Sequence, residues 1–255
     1  MRGAGKPNTR ALGWRPVPDP EGRYSTGIAD LDRLLGGGFG RGSLALVDTD
    51  ESVGLDDLDL LFTPTYLNFL YQSRGILAVL PSRDSPHGFR SRLIRYGTRR
   101  RFDSRVRVID YVGEDEGLSY VVNLANGDGE PLAKKRAIEK VVAAEKVVQG
   151  ERRRPFLELH AFEVFDTLLG PEKALKTFYY GVKRARSMGN LALGILGPGV
   201  GCAAGVRRMA DAEIALHREE VGLVVRGLRP SFPGFVVTED RGQGPPHVAF
   251  VPRPN

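Results

Sequence analysis

The sequence predicts an α/β protein: a mostly parallel twisted sheet flanked by helices, closed by a C-terminal antiparallel hairpin. Three observations carry this. Short apolar runs of five or six residues recur, with helical-period segments between them. Several of these runs, Ile76–Leu80 and Leu191–Leu196 among them, are apolar throughout rather than alternating, as strands buried on both faces require. Past residue 212 the helical segments stop, and strand-like runs follow one another across Glu239–Gly244, a turn-rich stretch that reads as a hairpin.

In order, residues 1–23 carry Gly3, Gly5, Pro7, Gly13, Pro16, Pro18, Pro20 and Gly22 and read as a flexible N-terminal arm anchored by Trp14. Residues 24–255 read as one domain. Ile28, Leu31, Leu34 and Leu35 fall at helical spacing, and Gly36–Gly38 stop that helix. Ser43–Val47 is a strand. Leu58–Tyr71 returns to helical spacing, with a break or kink expected at Pro64. Ile76–Leu80 is a strand, Pro86–Tyr96 a helix and Val106–Tyr111 a strand. Gly113–Gly129 is rich in turn formers, and Pro131–Gln149 is amphipathic. Phe156–Leu159, the helix Pro171–Met188 and the strand Leu191–Leu196 follow, then a glycine-rich loop at Gly197–Gly205. Ala212–Leu216, Leu223–Leu228, Phe235–Thr238 and Val248–Val251 complete the strands.

Composition narrows the class. The chain has 255 residues, is 41% hydrophobic and 27% charged, and so can bury a core. No run reaches the roughly 18–20 apolar residues that cross a bilayer, Met1–Pro20 has no apolar signal core, and there is one cysteine. A cytoplasmic protein without a membrane partner is the expectation. Net charge is +6, unevenly placed. Gly42–Ser73 holds no Lys, Arg or His and six acids (Asp48, Asp50, Glu51, Asp56, Asp57 and Asp59), whereas Arg74–Arg107 holds ten Arg against Asp84 and Asp103.

Ser25-Thr-Gly-Ile-x-x-Leu31-Asp32-x-Leu-Leu-Gly36-Gly-Gly38-x-x-Arg41-Gly42-Ser43 resembles the N-terminal motif of RecA-like ATPases of the KaiC and RadA type. Gly75–Gly97 is similar to that family's second strand and Arg-rich helix, and Arg184–Gly189 to its penultimate core unit. The resemblance extends over most of residues 24–251. In outline, a KaiC-like domain with basic stretches also resembles the archaeal gas-vesicle regulator GvpD.

The resemblance implies a phosphate loop after Ser43–Val47, of the form G-x-x-x-x-G-K-[ST], whose backbone amides wrap phosphates, whose Lys neutralises them and whose hydroxyl binds Mg²⁺. The matching window is Thr49-Asp-Glu-Ser-Val-Gly54-Leu55-Asp56. Thr49 stands for the first Gly, Leu55 for the Lys and Asp56 for the hydroxyl residue; only Gly54 remains. Two like charges 4 Å apart repel by about 4 kcal/mol at an effective dielectric near 20, so Asp50, Glu51 and Asp56 oppose a polyanion. The family's paired Glu after the second strand falls on Arg83 and Asp84, and its Mg²⁺-binding Asp on His160, a poor ligand for hard Mg²⁺. Asp166 is the alternative alignment.

These departures predict a pseudo-ATPase: no catalytic residues beyond the vestigial Arg83, Asp84 and His160, no metal, and no cofactor, with ATP and Mg²⁺ as cofactors only if the degenerate loop still binds. Regulation or assembly, with a second copy or an active RecA/KaiC-like paralogue, is the expected role. Two alternatives stay open. One is a residual metal-dependent ATPase using rearranged carboxylates, with Asp84 as base. The acidic stretch also places Asp48, Asp50, Ser52, Asp56 and Asp59 like Ca²⁺-loop ligands, but Val53 stands where that loop needs Gly. The other is a nucleic-acid-associated or transcriptional regulator that contacts phosphates or a partner through Arg90, Arg92, Arg95, Arg99, Arg100 and Arg101, with Tyr96 and Phe102 as a stacking face.

Overall fold

The computed structural model describes residues 14–111, 113, 117–124, 131–240 and 247–253. The chain begins with β1 (Arg23–Tyr24), α1 (Ala29–Leu34) and β2 (Phe39–Gly40), and β1 and β2 form a small antiparallel pair. Gly38, at φ +96, lets the chain turn there: a Cβ would stand 2.3 Å from the Tyr24 carbonyl oxygen. Then come β3 (Leu44–Thr49), α2 (Leu55–Tyr71), β4 (Ile76–Val79), α3 (Pro86–Leu93), a π-helical turn at Ile94–Thr98, α4 (Arg99–Arg105), β5 (Val106–Asp110) and β6 (Val121–Asn123). The second half contains α5 (Pro131–Gln149), β7 (Leu157–Ala161), α6 (Phe162–Leu169), α7 (Pro171–Met188), β8 (Leu191–Leu196), α8 (Ala203–Met209), β9 (Ala212–Glu219), β10 (Gly222–Arg229), β11 (Ser231–Asp240) and β12 (His247–Pro252).

Ten strands form one sheet in the order β12-β11-β10-β9-β3-β8-β7-β4-β5-β6. From β9 to β6 every neighbouring pair is parallel; β9 to β12 pair antiparallel. Leu44–Val47 and Leu191–Leu196 are buried on both faces, which is why they read as unbroken apolar runs. Two cores result. Phe62, Phe89 and Phe102 of α2, α3 and α4 pack one face of the sheet. Val148, Phe162, Phe178 and Val206 of α5, α6, α7 and α8 pack the other.

The structure departs from the sequence expectations at six places. Pro64 lies within α2 without ending it. Burial of Thr63–Leu70 outweighs the roughly 3 kcal/mol that an interior proline costs a helix. The helix expected to end at Tyr96 ends at Leu93, and a second one, α4, follows, because Gly97 at φ 76 lets the chain reverse. β6 lies within the turn-rich stretch and α6 directly after β7, where Phe162 and Phe165 are buried. The glycine-rich loop is shorter than expected, since α8 starts at Ala203. The arm is not free along its second half. The Val17 N–H donates to Asn68 Oδ1 at 2.8 Å, and Asp19 pairs with the buried Arg74. Residues 1–13, residues 114–116 and 125–130, and the tip of the terminal hairpin lie outside the described residues.

Candidate functional site

Ligands of open parallel sheets bind beyond the C-terminal ends of the strands. Here that edge carries the loop from Thr49 to Gly54, the Pro81–Ser85 turn after β4, and the segment from Ala161 to Glu163. Thr49 Oγ1 donates to the Leu196 carbonyl at 3.1 Å, tying the loop to β8. Asp50 turns the chain by accepting the Ser52 N–H at 2.9 Å. Gly54, at φ −86, is the N-cap of α2. Among the described residues the only non-glycines with positive φ are Ser73 and Arg153, so residues 49–54 lack the alternating handedness of an anion-binding nest.

The carboxylates that flank the loop, Asp48 and Asp57, are held from within the chain. Asp57 Oδ2 accepts the Gly54 N–H at 2.8 Å, completing a capping arrangement at the start of α2. The Arg218 guanidinium, from β9, reaches the same carboxylate at 2.5 Å and 3.2 Å, and the Arg218 N–H donates to Ser52 Oγ at 2.8 Å. The Asp57 side chain is 6% exposed. Asp48 is held the same way: Arg207 of α8 contacts it at 2.6 Å and 3.0 Å and reaches Glu213 at 3.4 Å. Leu55 is half-buried, and Asp56 faces solvent.

Asp84 is 3% exposed, and Arg92 of α3 grips it with two nitrogens at 2.5 Å and 3.0 Å. The same guanidinium lies 2.5 Å from Asp59 of α2. Burial, partly offset by Arg92 and reinforced by Asp84, pushes the Asp59 carboxyl up to about 6. The space enclosed by Leu55, Asp59, Asp84 and Arg92 is about 10 Å³, near the minimum for one water. Arg83 is exposed.

His160 sits on β7 but turns to the face opposite α2. Its ring meets Phe178 edge-on at 5.1 Å, and Nε2 lies 3.6 Å from Glu158, which accepts a hydrogen bond from Asn190 at 2.6 Å. The alternative, Asp166, lies on α6 and accepts the Gly201 N–H at 2.8 Å. Cys202 is buried beside it; burial first, and then Asp166, push the thiol up to about 11, so it stays protonated at neutral pH. Among the described residues no three His, Cys, Asp or Glu side chains converge as a metal site needs.

The Arg-rich segment divides. Arg92 is internal. Arg90 pairs with Asp103 at 3.0 Å and lies over the Phe102 and Tyr120 rings. Arg101 covers Tyr71 at 4.4 Å. Arg95, Arg99 and Arg100 are exposed and unpaired among the described residues. Phe102 is fully buried in the core and Tyr96 half-buried, so Phe102 offers no stacking face. Sequence reading missed the parts played by Arg207 and Arg218. Both stand more than 150 residues from the carboxylates they hold, and no local pattern marks such a pairing.

A family model described as GvpD basic region 2 matches residues 13–123. Two curated proteins of Halobacterium salinarum are similar over parts of the chain. GvpD1 is 41% identical over 73 residues, 29% of this chain and 14% of that protein. GvpD2 is 35% identical over 101 residues, 39% of this chain and 20% of that protein. These matches thus span a fifth or less of the relatives' length. Among solved structures, an uncharacterized Pyrococcus horikoshii protein crystallised with an unknown peptide aligns at TM-score 0.60 and 17% identity, covering 89% of this chain and 98% of its own. A KaiC-like protein from the same archaeon aligns at TM-score 0.57 and 14% identity, covering 90% and 99%. The chain thus has an α/β fold similar to that of a KaiC-like protein, and over residues 13–123 it is similar to basic region 2 of GvpD.

Proposed function

We propose that the chain is a regulatory protein built on a RecA/KaiC-like fold whose nucleotide site is silent. One observation carries the reading: the Asp57 carboxylate, held by Arg218, already takes the Gly54 N–H that a phosphate loop would offer its ligand. A triphosphate there would have to displace the Asp57 carboxylate from the Gly54 N–H and then meet Asp50, Glu51 and Asp56 with no Lys to offset them. The Arg92 clamp on Asp84 removes the carboxylate best placed to act as a base. The role left to such a domain is association, with a second copy or with an active paralogue. The similarity to GvpD supports the regulatory sense of that association.

Calorimetric titration with ATP in the presence of Mg²⁺, Mn²⁺ or Ca²⁺ tests this. The expected result is no heat assignable to the loop after β3 and no hydrolysis. Turnover abolished by Asp84→Ala would replace the reading with the residual metal-dependent ATPase.

A second reading is favoured by Arg95, Arg99 and Arg100, exposed and without an ion-pair partner among the described residues, within the segment similar to a basic region. On this reading they contact nucleic-acid phosphates or an acidic partner. A gel shift that weakens with salt and is lost on replacing Arg99–Arg101 supports it; unchanged mobility at low salt removes it.

A further inference from the structure

At the opposite end of the sheet, below the N-terminal ends of β4 and β5, lies a cavity of about 510 Å³. That volume falls in the range of small-molecule sites, roughly 300–1,000 Å³. Three guanidinium groups line it from two separate segments: Arg105 at the end of α4, and Arg152 and Arg154 in the turn after α5. Ser73 and Ser104 add hydroxyls, and Val147 is the one large apolar lining residue. We propose that this cavity binds a small phosphorylated molecule through Arg105, Arg152 and Arg154.

Charge supports this. Glu151 is the cavity's one carboxylate, and none of the three arginines is ion-paired among the described residues. Arg154 donates to the Gln72 carbonyl at 3.0 Å, which fixes its position and leaves its charge unmatched. The ends of α4 and α5 also face this edge, each contributing about −0.5 of a charge. Three guanidinium charges against one carboxylate and two helix ends leave about one net positive charge. Guanidinium pairs from different directions suit a tetrahedral, multiply charged oxyanion better than a planar carboxylate, which one fork satisfies.

Two helix ends shape this edge. Ser73, at φ 59, is the left-handed residue that closes α2, with its N–H on the Leu70 carbonyl at 3.1 Å and the Arg74 N–H on the Phe69 carbonyl at 2.9 Å. Arg153, at φ 45, lies between Arg152 and Arg154 in the turn after α5. The turn is held in that shape by the Arg153 N–H on the Gly150 carbonyl at 3.0 Å and the Arg154 N–H on the Gln149 carbonyl at 3.1 Å. Its effect is to present Arg152 and Arg154 beside Arg105. This site shares no residue with the loop after β3 and does not depend on that loop being silent.

Calorimetry of the full chain at low ionic strength, with pyrophosphate and with AMP as probes, tests the proposal. Saturable one-to-one binding is expected. Arg105→Gln and Arg152→Gln should each weaken it about tenfold or more, the scale of a lost charged hydrogen bond, whereas the double variant Arg99→Gln/Arg100→Gln should leave it unchanged. Arg152 is exposed on a surface turn, so its variant reports on binding even if Arg105→Gln perturbs the end of α5. No saturable heat with either probe overturns the proposal. So does equal binding by both cavity variants, or response only to a single-stranded oligonucleotide. Heat from ATP that vanishes in Arg105→Gln belongs to this cavity. Heat that persists there belongs to the loop after β3, and it overturns the silent-site reading instead.

Discussion

The two ends of the parallel sheet treat charge in opposite ways. At the C-terminal end, Asp48, Asp57, Asp59 and Asp84 are each matched by an arginine from another element: Arg207, Arg218 and, for the last two, Arg92. At the N-terminal end, Arg105, Arg152 and Arg154 surround a cavity with a single carboxylate. Sheets of this class bind ligands at the first end. In this chain the buried carboxylates of that end are held by arginines and its remaining charge is acidic, whereas the unpaired charge at the other end is basic. A run of acids next to a run of arginines in the sequence therefore says little about which charges are free. Pairing in three dimensions decides that, and it can be broken one residue at a time.

The largest effect is expected at Arg92. Arg92→Ala leaves Asp59 and Asp84 facing each other across a nearly dry space with no cation. Breaking a buried pair by removing one partner costs about 3–5 kcal/mol, which lowers Tm on the order of 10 °C in a chain of this size. The two carboxylates can relieve the repulsion by taking up protons, so the deficit should shrink between pH 8 and pH 5. A loss below 1 kcal/mol at pH 8 would mean that water reaches these carboxylates freely and that the end is not sealed.

Asp59→Asn should act in the opposite direction. The Asp59 carboxyl titrates at about 6 in the folded chain against 3.8 for the free group, so the folded state binds the proton more tightly. Stability is then lost as pH rises from about 4 to about 6, and the full loss is present above that. Asparagine has no charge to desolvate and leaves Arg92 paired to Asp84. The variant should gain about 1–2 kcal/mol at pH 7.5 and approach the parent near pH 4, as read by denaturant melts at both pH values. A gain that did not depend on pH would point to packing rather than to this charge.

Asp57→Ala comes next. It removes the cap of α2 and leaves Arg218 without its partner, but Arg218 is half exposed and water takes over much of the pairing. A cost of about 1–2 kcal/mol is expected, mostly from the lost cap. If the variant also gained ATP binding, the carboxylate would be what keeps a phosphate from the Gly54 amide.

Much of the fold was legible in the sequence because burial writes a period. Leu44–Val47, Ile76–Val79 and Leu191–Leu196 are buried on both faces and read as apolar runs, and Pro131–Gln149 and Pro171–Met188 carry clear helical stripes. What failed was short or decided by tertiary contact. α4 has one buried residue, Phe102, among charged neighbours, and β6 has three residues. In the sequence, the loop after β3 reads only as a departure from the motif it resembles, with Leu55 and Asp56 at the positions of that motif's Lys and hydroxyl. That Arg218 pairs with Asp57 was not legible, since the two stand 161 residues apart. The basic cavity was hidden for the same reason, because Arg105 sits in the conspicuous run whereas Arg152 and Arg154 read as a charged break.

The smallest effect on stability is expected at Arg99 and Arg100, where it separates two kinds of arginine within one helical segment. Arg90 and Arg101 lie over aromatic rings, and Arg92 is buried in a carboxylate clamp; replacing these disturbs packing. Arg99 and Arg100 touch neither ring nor carboxylate among the described residues, so the double variant Arg99→Gln/Arg100→Gln should stay within about 0.5 kcal/mol of the parent. If these residues meet phosphates, the logarithm of affinity should fall less steeply with the logarithm of salt by nearly two units, one for each contact removed. A stable variant with an unchanged salt slope would leave Arg99 and Arg100 as solubilising charge. A destabilised one would mean that this surface is built into the fold like the C-terminal end.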